Sequence, residues 1–340
     1  MILDPNRSDS PETLEERLAA FASAALSLYD LPPGAGVRLL NLSENATFLV
    51  EAPASRYRSI LRVHRPGYHS KEAIKSEIEW ICALSAHPNI STALPIRGRN
   101  GEIVQTFEHP SVPEPRNVVM FQFLPGREPD PSDVRSFEQL GRITAHLHEH
   151  ARNWTPGRNL VRHTWDLDSM FFGPKPLWGR WEDGVGVTGR RARVLEKLAA
   201  RLRERIGAYG KNPERFGLIH ADLRLANLLL DGDRVQVIDF DDCGFSWYMY
   251  DLAAALSFIE DQPQVPALIE AWLRGYRDVR HLPTSDEEMI PSFILARRLL
   301  LVAWVGSHQE SPYPRALGEG FTIRTVELAE RYLAEEGVPV

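Results

Sequence analysis

The residues best suited to chemistry lie in a short polar loop, residues 220–227, between two apolar segments. Asp222 and Asn227 are five positions apart in this loop, and Asp239 follows twelve residues later, after the apolar run 235–238. An Asp in such a loop can accept the proton of a hydroxyl, while an amide oxygen and a second carboxylate hold the magnesium of a nucleotide triphosphate. This spacing therefore predicts phosphoryl transfer to a hydroxyl.

The same segment resembles the catalytic core of the aminoglycoside phosphotransferase and choline kinase-like superfamily. Members of that superfamily carry His-Gly-Asp-x-x-x-x-Asn and then a strand that ends in Ile-Asp-Phe or Ile-Asp-Trp. Here His220 stands at the position of the His of that motif, and Ala221 stands where Gly is usual. The resemblance implies ATP and Mg as cofactors, Asp222 as the catalytic base, His220 as a second catalytic residue, and Asn227 and Asp239 as magnesium ligands.

Residues outside the loop support the same resemblance. Asp251 stands at the start of a predicted helix, in Tyr-Asp-Leu-Ala. The resemblance implies that Asp251 braces the catalytic loop by hydrogen bonds. In overall appearance the chain is most similar to the branch that contains homoserine kinases, hydroxylysine kinases and a bacterial stress-response protein kinase.

The elements that must position these residues fall into two parts. Short strand-type runs dominate the first part, with one amphipathic helix before them and one among them. Helical periodicity dominates the second part, where strand-like pieces occur only near the polar loop. We therefore predict an α+β, protein kinase-like two-lobed fold. Its N-terminal antiparallel-sheet lobe, with the leading helix, would bind the nucleotide over residues 1–124, and its helical C-terminal lobe would bind the acceptor over residues 125–340.

The individual predicted elements follow from the apolar spacing and the Gly and Pro breaks. Strands are predicted over 37–42, 45–51, 58–64, 91–97, 102–107, 117–124, 216–219, 227–230 and 234–238, and helices over 12–29, 70–86, 132–151, 189–207, 249–260, 264–278, 286–308 and 319–335.

The N-terminal part must supply contacts to the nucleotide phosphates. Arg62 is a cation in an apolar strand, which is costly to bury without a partner, and Glu77 on the next helix is the candidate partner. Arg65 is the alternative cation. The hairpin 41–49 resembles the one that covers the phosphates in the superfamily, although it contains no glycine. Its Ser43 hydroxyl and its backbone amides are the predicted phosphate donors.

The apolar run that ends at residue 124 is the predicted connection between the lobes. Its last residues are Gln122, Phe123 and Leu124. The resemblance implies that their backbone reads the adenine edge. A plain buried strand is the alternative interpretation.

Composition limits the class of protein. A formal charge of −7 and a pI near 5.9 argue against nucleic acid as a partner, because no basic excess is present to displace counterions. Two cysteines fit a reducing compartment. Neither a secretory signal nor an uninterrupted apolar run of membrane-spanning length is visible, so we expect a cytoplasmic protein that does not bind a membrane. The oligomeric state stays open.

The acceptor is predicted to be a small molecule that carries a hydroxyl, such as an amino-alcohol, a hydroxy-amino acid or an aminoglycoside-like compound. Only the eleven residues 240–250 separate Asp239 from Asp251, which leaves little chain to dock a peptide. Asp241, Asp242 and Glu260 would add negative charge for a cationic acceptor, or they are solvated surface acids. A Ser/Thr protein kinase on the same scaffold and a nucleotide-binding pseudoenzyme are the alternatives.

Two further features have plainer interpretations. His146 and His150 share one helical face, while His148 does not, and the absence of a well-placed third ligand argues against a metal site. The aromatic stretch 165–181 either packs an insertion onto the helical lobe or holds a cationic amine against its rings. Packing is the favoured interpretation.

Overall fold

The computed structural model describes residues 13–42, 45–157, 159–232 and 234–337. The chain divides into two compact units. The first contains the residues up to Ile78 and Ala93–Phe123, and the second contains Glu79–Thr92 and Leu124–Val340. The predicted division puts residues 79–92 in the N-terminal lobe, whereas the structure groups them with the second unit. The assignment of 1–124 and 125–340 as functional lobes stays a prediction.

A six-stranded antiparallel sheet forms the centre of the first unit. Its strands are β1 Gly36–Leu42, β2 Ala46–Ala52, β3 Tyr57–Val63, β4 Pro95–Ile96, β5 Gln105–Phe107 and β6 Arg116–Gln122. They are ordered β1-β2-β3-β6-β4, and β5 also pairs with β6. Arg62 of β3 lies opposite Thr47 on one side and Val119 on the other. This register puts Arg62 in the middle of the sheet.

Helix α1, Leu14–Ala25, packs on this sheet and begins at a capping box. The Thr13 hydroxyl accepts a hydrogen bond from the Glu16 amide at 3.2 Å, and the Glu16 carboxylate accepts one from the Thr13 amide at 2.8 Å. Two amides that the helix cannot pair are thereby satisfied. The buried face of α1 places Phe21 in one core with Phe48 of β2. The next helix, α2, spans Lys71–Leu84.

Helices make up most of the second unit. They are α3 Val134–Asn153, α4 Gly189–Tyr209, α5 Tyr250–Ala255, α6 Val265–Arg277, α7 Thr284–Glu287, α8 Ile290–Ser307 and α9 Pro312–Glu335. Two small antiparallel sheets accompany them, formed by β7 Phe216–Ile219 with β10 Gly244–Trp247 and by β8 Leu228–Asp231 with β9 Arg234–Val237. The predicted α+β class, with a sheet-rich N-terminal part and a mostly helical C-terminal part, is confirmed.

Helices α3 and α6 cross at very short range because glycine occupies the crossing. A Cβ atom at Gly141 would lie 2.0 Å from the Trp272 carbonyl oxygen, and one at Gly275 would lie 1.8 Å from the Glu138 carbonyl oxygen. Both distances are far below contact distance, so only glycine fits. This close crossing brings two side chains of the candidate site, one from each helix, next to each other.

Helix α8 lies in the core of the second unit. The segment Thr284–Ser307 is long and apolar enough to cross a membrane, but 83% of its most apolar 18-residue window is buried inside the protein. Such burial is typical of a core helix.

Several predicted boundaries differ from the structure. The predicted strand 91–97 shortens to Pro95–Ile96, and the predicted helix 249–260 ends at Ala255. The predicted helix 286–308 is two helices, since a proline at the first turn of α8 starts a new helix there. Strand β10 was missed, because its four residues are too short for a periodic signal and it is held by pairing with β7.

Candidate active site

Three side chains donate hydrogen bonds to the carboxylate of Asp222. Arg297 Nη2 donates to Oδ1 at 2.6 Å, and Arg224 Nε donates to Oδ2 at 3.0 Å. Asn227 Nδ2 donates to the same Oδ2 at 2.7 Å and to the Asp222 backbone carbonyl at 2.9 Å. The carboxylate is therefore fixed in orientation. Because the Asn227 nitrogen makes these bonds, the Asn227 amide oxygen is the atom that remains for another ligand.

The same charges keep Asp222 ionised. Burial by itself would raise the pKa of the Asp222 carboxyl, but the positive charges of Arg224 and Arg297 outweigh burial and lower that pKa. Asp222 in turn raises the pKa of Arg224. An ionised carboxylate is the form that can accept a hydroxyl proton.

An antiparallel ladder brings Asn227 close to Asp239. Strands β8 and β9 pair Leu228 with Val237, and the Ile238 amide donates to the Asn227 carbonyl at 2.9 Å. Asp239 therefore follows directly after the last hydrogen bond of the ladder, next to Asn227 in space. The twelve-residue spacing seen in the sequence is the length of this hairpin.

His220 ties the loop to that hairpin. Its Nε2 lies 3.2 Å from the Ile238 carbonyl oxygen, and its Nδ1 accepts a hydrogen bond from the Asp222 amide at 3.3 Å. The side chain is fully buried, and burial lowers the pKa of the imidazole. Both nitrogens of this buried ring thus have partners in the backbone near Asp222 and Asp239. The catalytic role of His220 stays a prediction.

Asp251 braces the loop from below, as the resemblance predicted. Its carboxylate accepts hydrogen bonds from the Ala221 amide at 2.7 Å and the His220 amide at 3.3 Å. His148 Nε2 lies 3.0 Å from the same carboxylate, and His148 Nδ1 lies 2.9 Å from the Tyr276 hydroxyl. His148 comes from α3 and Tyr276 from α6, so the close helix crossing supports the brace.

Two residues of the site adopt left-handed backbone conformations. Ala221 has φ of 66° and Asp239 has φ of 60°. Asp is tolerated in this conformation, whereas the Cβ of Ala makes the conformation unfavourable for alanine. This explains why Gly is usual at the position of Ala221 in the superfamily, and it means that the loop holds Ala221 against a local preference.

Valine in place of Ala221 is expected to lower the free energy of unfolding by about 2–3 kcal/mol, because a β-branched residue is added at positive φ in a packed position. Ala221→Gly should change it by less than about 1 kcal/mol. Urea unfolding measures both. Ala226→Val is the control, since Ala226 is exposed in the same loop and should change stability by less than about 0.5 kcal/mol. Equal effects of valine at both positions would contradict the strain at Ala221.

The nucleotide-binding candidates Arg62 and Glu77 form an ion pair within the first unit. Arg62 Nη2 lies 2.6 Å from Glu77 Oε1, and their side chains are 6% and 0% exposed. The Arg62 guanidinium also lies 5.0 Å from the centre of the Phe121 ring. By contrast, Arg65 is exposed, and its backbone amide donates to Asn45.

The structure does not test the roles of the other nucleotide-binding candidates. Ser43 lies outside the described residues. The Gln122 backbone amide donates a hydrogen bond to the Leu94 carbonyl at 2.8 Å. The guanidinium carbon of Arg58 lies 3.9 Å from the centre of the Phe123 ring. Leu124 begins the larger stretch of the second unit. Their role in reading adenine stays a prediction.

The aromatic stretch 165–181 mainly packs. Trp165, Phe171, Trp178 and Trp181 are buried, as the favoured interpretation predicted. The histidines of α3 also have ordinary partners. His150 Nδ1 accepts a hydrogen bond from the Trp80 indole at 3.4 Å, so it is engaged in packing contacts.

Sequence reasoning missed Arg224 and Arg297. Arg224 lies two residues after Asp222, so its proximity was available from the loop itself. Arg297 lies 75 residues from Asp222. Its one signal was a pair of adjacent arginines, Arg297 and Arg298, in an otherwise apolar helix, where a cation needs a buried partner.

The predicted acids for a cationic acceptor differ in burial. Glu260 is buried and forms an ion pair with Arg298 at 2.5 Å, and burial raises the pKa of its carboxyl in spite of the arginine. Asp241 is buried as well. Asp242 is half-buried, and its backbone carbonyl accepts a hydrogen bond from the Trp165 indole at 2.8 Å.

Residues 36–286 match the model of the phosphotransferase enzyme family, and the chain belongs to that family. The predicted membership in the aminoglycoside phosphotransferase and choline kinase-like superfamily, with its protein kinase-like fold, is thereby confirmed. The predicted enzyme class, a phosphotransferase that acts on a hydroxyl of a small molecule, is confirmed as well.

Individual relatives support this assignment. The chain is 44% identical to a structure of a microcompartment-associated aminopropanol kinase, with a TM-score of 0.86 over 94% of this chain and 99% of that one. It is 26% identical to amicoumacin kinase of Bacillus subtilis (strain 168), over 78% of each chain. An amicoumacin kinase in complex with AMP-PNP, Ca²⁺ and Ami shares the fold at 22% identity and a TM-score of 0.72, over 91% of this chain and 93% of that one.

Proposed function

We propose that this protein is an ATP- and magnesium-dependent kinase whose acceptor is a small amino-alcohol. The observation that carries the proposal is the fixed carboxylate of Asp222, which contacts the Asn227 amide nitrogen at 2.7 Å. In this arrangement Asp222 accepts the acceptor proton and aims its oxygen at the γ-phosphate. The same contact leaves the Asn227 oxygen for a cation. Positioning and electrostatics carry this reaction, so no covalent enzyme intermediate is needed.

The residues near Asp222 fit magnesium by their chemistry. Asn227 offers an amide oxygen and Asp239 offers carboxylate oxygens, which are the hard ligands that Mg²⁺ prefers. When bound, the ion neutralises charge on the β- and γ-phosphates. Arg62 would hold the α- and β-phosphates, with Glu77 fixing its guanidinium at 2.6 Å. The AMP-PNP and Ca²⁺ bound by the related amicoumacin kinase support a nucleotide and a divalent cation here.

The proposed acceptor class follows from charge near the base and from the relative of 44% identity, an aminopropanol kinase. Burial is the main cause of the raised pKa of the Tyr250 hydroxyl, and the negative charge of Asp242 adds to it. Tyr250 in turn accepts a hydrogen bond from Arg297 at 3.3 Å, and Arg297 contacts Asp222. Asp242 lies three residues after Asp239 and is half-buried, and we assign it the ammonium group of the acceptor.

The test is ADP release from Mg·ATP across a panel of amino-alcohols, hydroxy-amino acids, aminoglycosides and a generic protein. We expect stimulation by short amino-alcohols and weak stimulation by the matched neutral diols. Asp242→Asn should raise KM for an amino-alcohol at least about tenfold, because a hydrogen bond to a charged group contributes about 1.5–3 kcal/mol. It should leave KM for a diol nearly unchanged.

Other outcomes would redirect the proposal. Stimulation by the generic protein alone would favour a Ser/Thr protein kinase. Nucleotide binding without acceptor-dependent release would favour the pseudoenzyme. An equal effect of Asp242→Asn on amino-alcohols and diols would remove Asp242 from ammonium recognition. The proposal also places the enzyme in the cytoplasm, without a nucleic-acid partner, as its acidic charge suggests.

A further inference from the structure

Two adjacent arginines of α8 are buried against different carboxylates. The side chains of Arg297 and Arg298 are 2% and 1% exposed. Arg297 pairs with Asp222 at 2.6 Å, and Arg298 pairs with Glu260 at 2.5 Å. Burying a guanidinium is costly even when it is paired, so a buried ion pair is by itself weak evidence of stabilisation.

The guanidinium of Arg297 is held from several sides. Its Nε donates to the Ser257 hydroxyl at 3.0 Å, and its Nη1 donates to the Tyr250 hydroxyl at 3.3 Å. The Trp178 ring lies 5.1 Å away, measured from its centre to the guanidinium carbon. Because two nitrogens of the planar guanidinium are hydrogen-bonded and an aromatic ring covers its face, the group cannot rotate. Its Nη2 therefore keeps a single orientation toward Asp222 Oδ1.

The hydrogen bonds to Asp222 leave its two oxygens unequal. Oδ2 accepts from Arg224 at 3.0 Å and from Asn227 at 2.7 Å, which uses both of its lone pairs. Oδ1 accepts from Arg297 at 2.6 Å, which uses one. Oδ1 is therefore the oxygen that retains a lone pair for the proton of an incoming hydroxyl.

We propose that Arg297 is a positioning residue that presents Asp222 Oδ1 to the acceptor hydroxyl. The inference rests on the proposed kinase function. Through Trp178 it also gives the aromatic insertion a role, because the buried ring holds the guanidinium that holds the base. Arg298 serves no such role, since its partners are Glu260 and the Thr325 hydroxyl, at 2.9 Å.

Arg298 provides the matched control. Arg297→Lys and Arg298→Lys each replace a buried guanidinium on α8 by an ammonium and keep the charge. We expect Arg297→Lys to lower kcat at least about tenfold, because a misplacement of about 1 Å can cost about 10²-fold in rate. KM for ATP should stay within about twofold of wild type in the same variant. Arg298→Lys should lower the melting temperature and leave kcat within about twofold.

A milder variant covers the case in which Arg297→Lys does not fold. Ser257→Ala removes one acceptor of the Arg297 guanidinium and keeps the ion pair, and it should lower kcat several-fold with KM for ATP unchanged. A folded Arg297→Lys enzyme, or Ser257→Ala enzyme, with the kcat of Arg298→Lys would overturn the positioning role and leave the proposed function intact. A wild-type enzyme without acceptor-dependent turnover in this assay would overturn both.

Discussion

Replacing Asp222 by Asn is expected to lower turnover by at least about 10²-fold, the low end for loss of a general base. The amide keeps nearly the shape of the carboxylate and can still accept the hydrogen bond from Arg297. It cannot take a proton from a hydroxyl, and it no longer balances the charges of Arg224 and Arg297. The measurement is acceptor-dependent ADP release at saturating Mg·ATP.

Folding must be separated from chemistry in this variant, since it leaves a buried cation without its counter-charge. Nucleotide affinity measured by calorimetry is the control, because Asp222 is assigned to the proton of the acceptor and not to the nucleotide. We expect that affinity to stay within a few-fold of wild type. Near-normal turnover in a folded Asp222→Asn protein would contradict the assignment of the base.

Replacing Arg62 by Met is expected to lower the free energy of unfolding by about 3–5 kcal/mol, because the buried carboxylate of Glu77 would lose the guanidinium that pairs with it at 2.6 Å. The exposed fractions of 6% and 0% for the two side chains place this pair among buried ion pairs. Arg62→Met keeps most of the volume, so the loss reports charge and not a cavity. Urea unfolding gives the value.

A double variant separates the structural role of the ion pair from its proposed role in nucleotide binding. Arg62→Met combined with Glu77→Met removes both charges, and an apolar replacement of a buried pair often restores stability. We expect the double variant to recover most of the lost free energy while its affinity for ATP stays weak. Recovery of both properties would show that Arg62 is structural and takes no part in binding phosphates.

The sequence by itself determined the local part of the site. Asp222, Asn227 and Asp239 fall within one loop and one hairpin, and the geometry of a short antiparallel ladder is fixed by neighbours in the chain. The N-terminal sheet and most helices followed from apolar periodicity for the same reason. Arg62 and Glu77 could be paired because a buried cation requires a nearby acid.

Only the tertiary structure decided what surrounds that local core. Arg297 meets Asp222 from a helix 75 residues later, and the brace at Asp251 depends on His148 and Tyr276 across a glycine crossing of two helices. The left-handed conformation of Ala221 likewise follows from the bonds that hold its neighbours. These features arise from packing between distant segments. The apolar periodicity of one segment carries no information about which other segment it packs against.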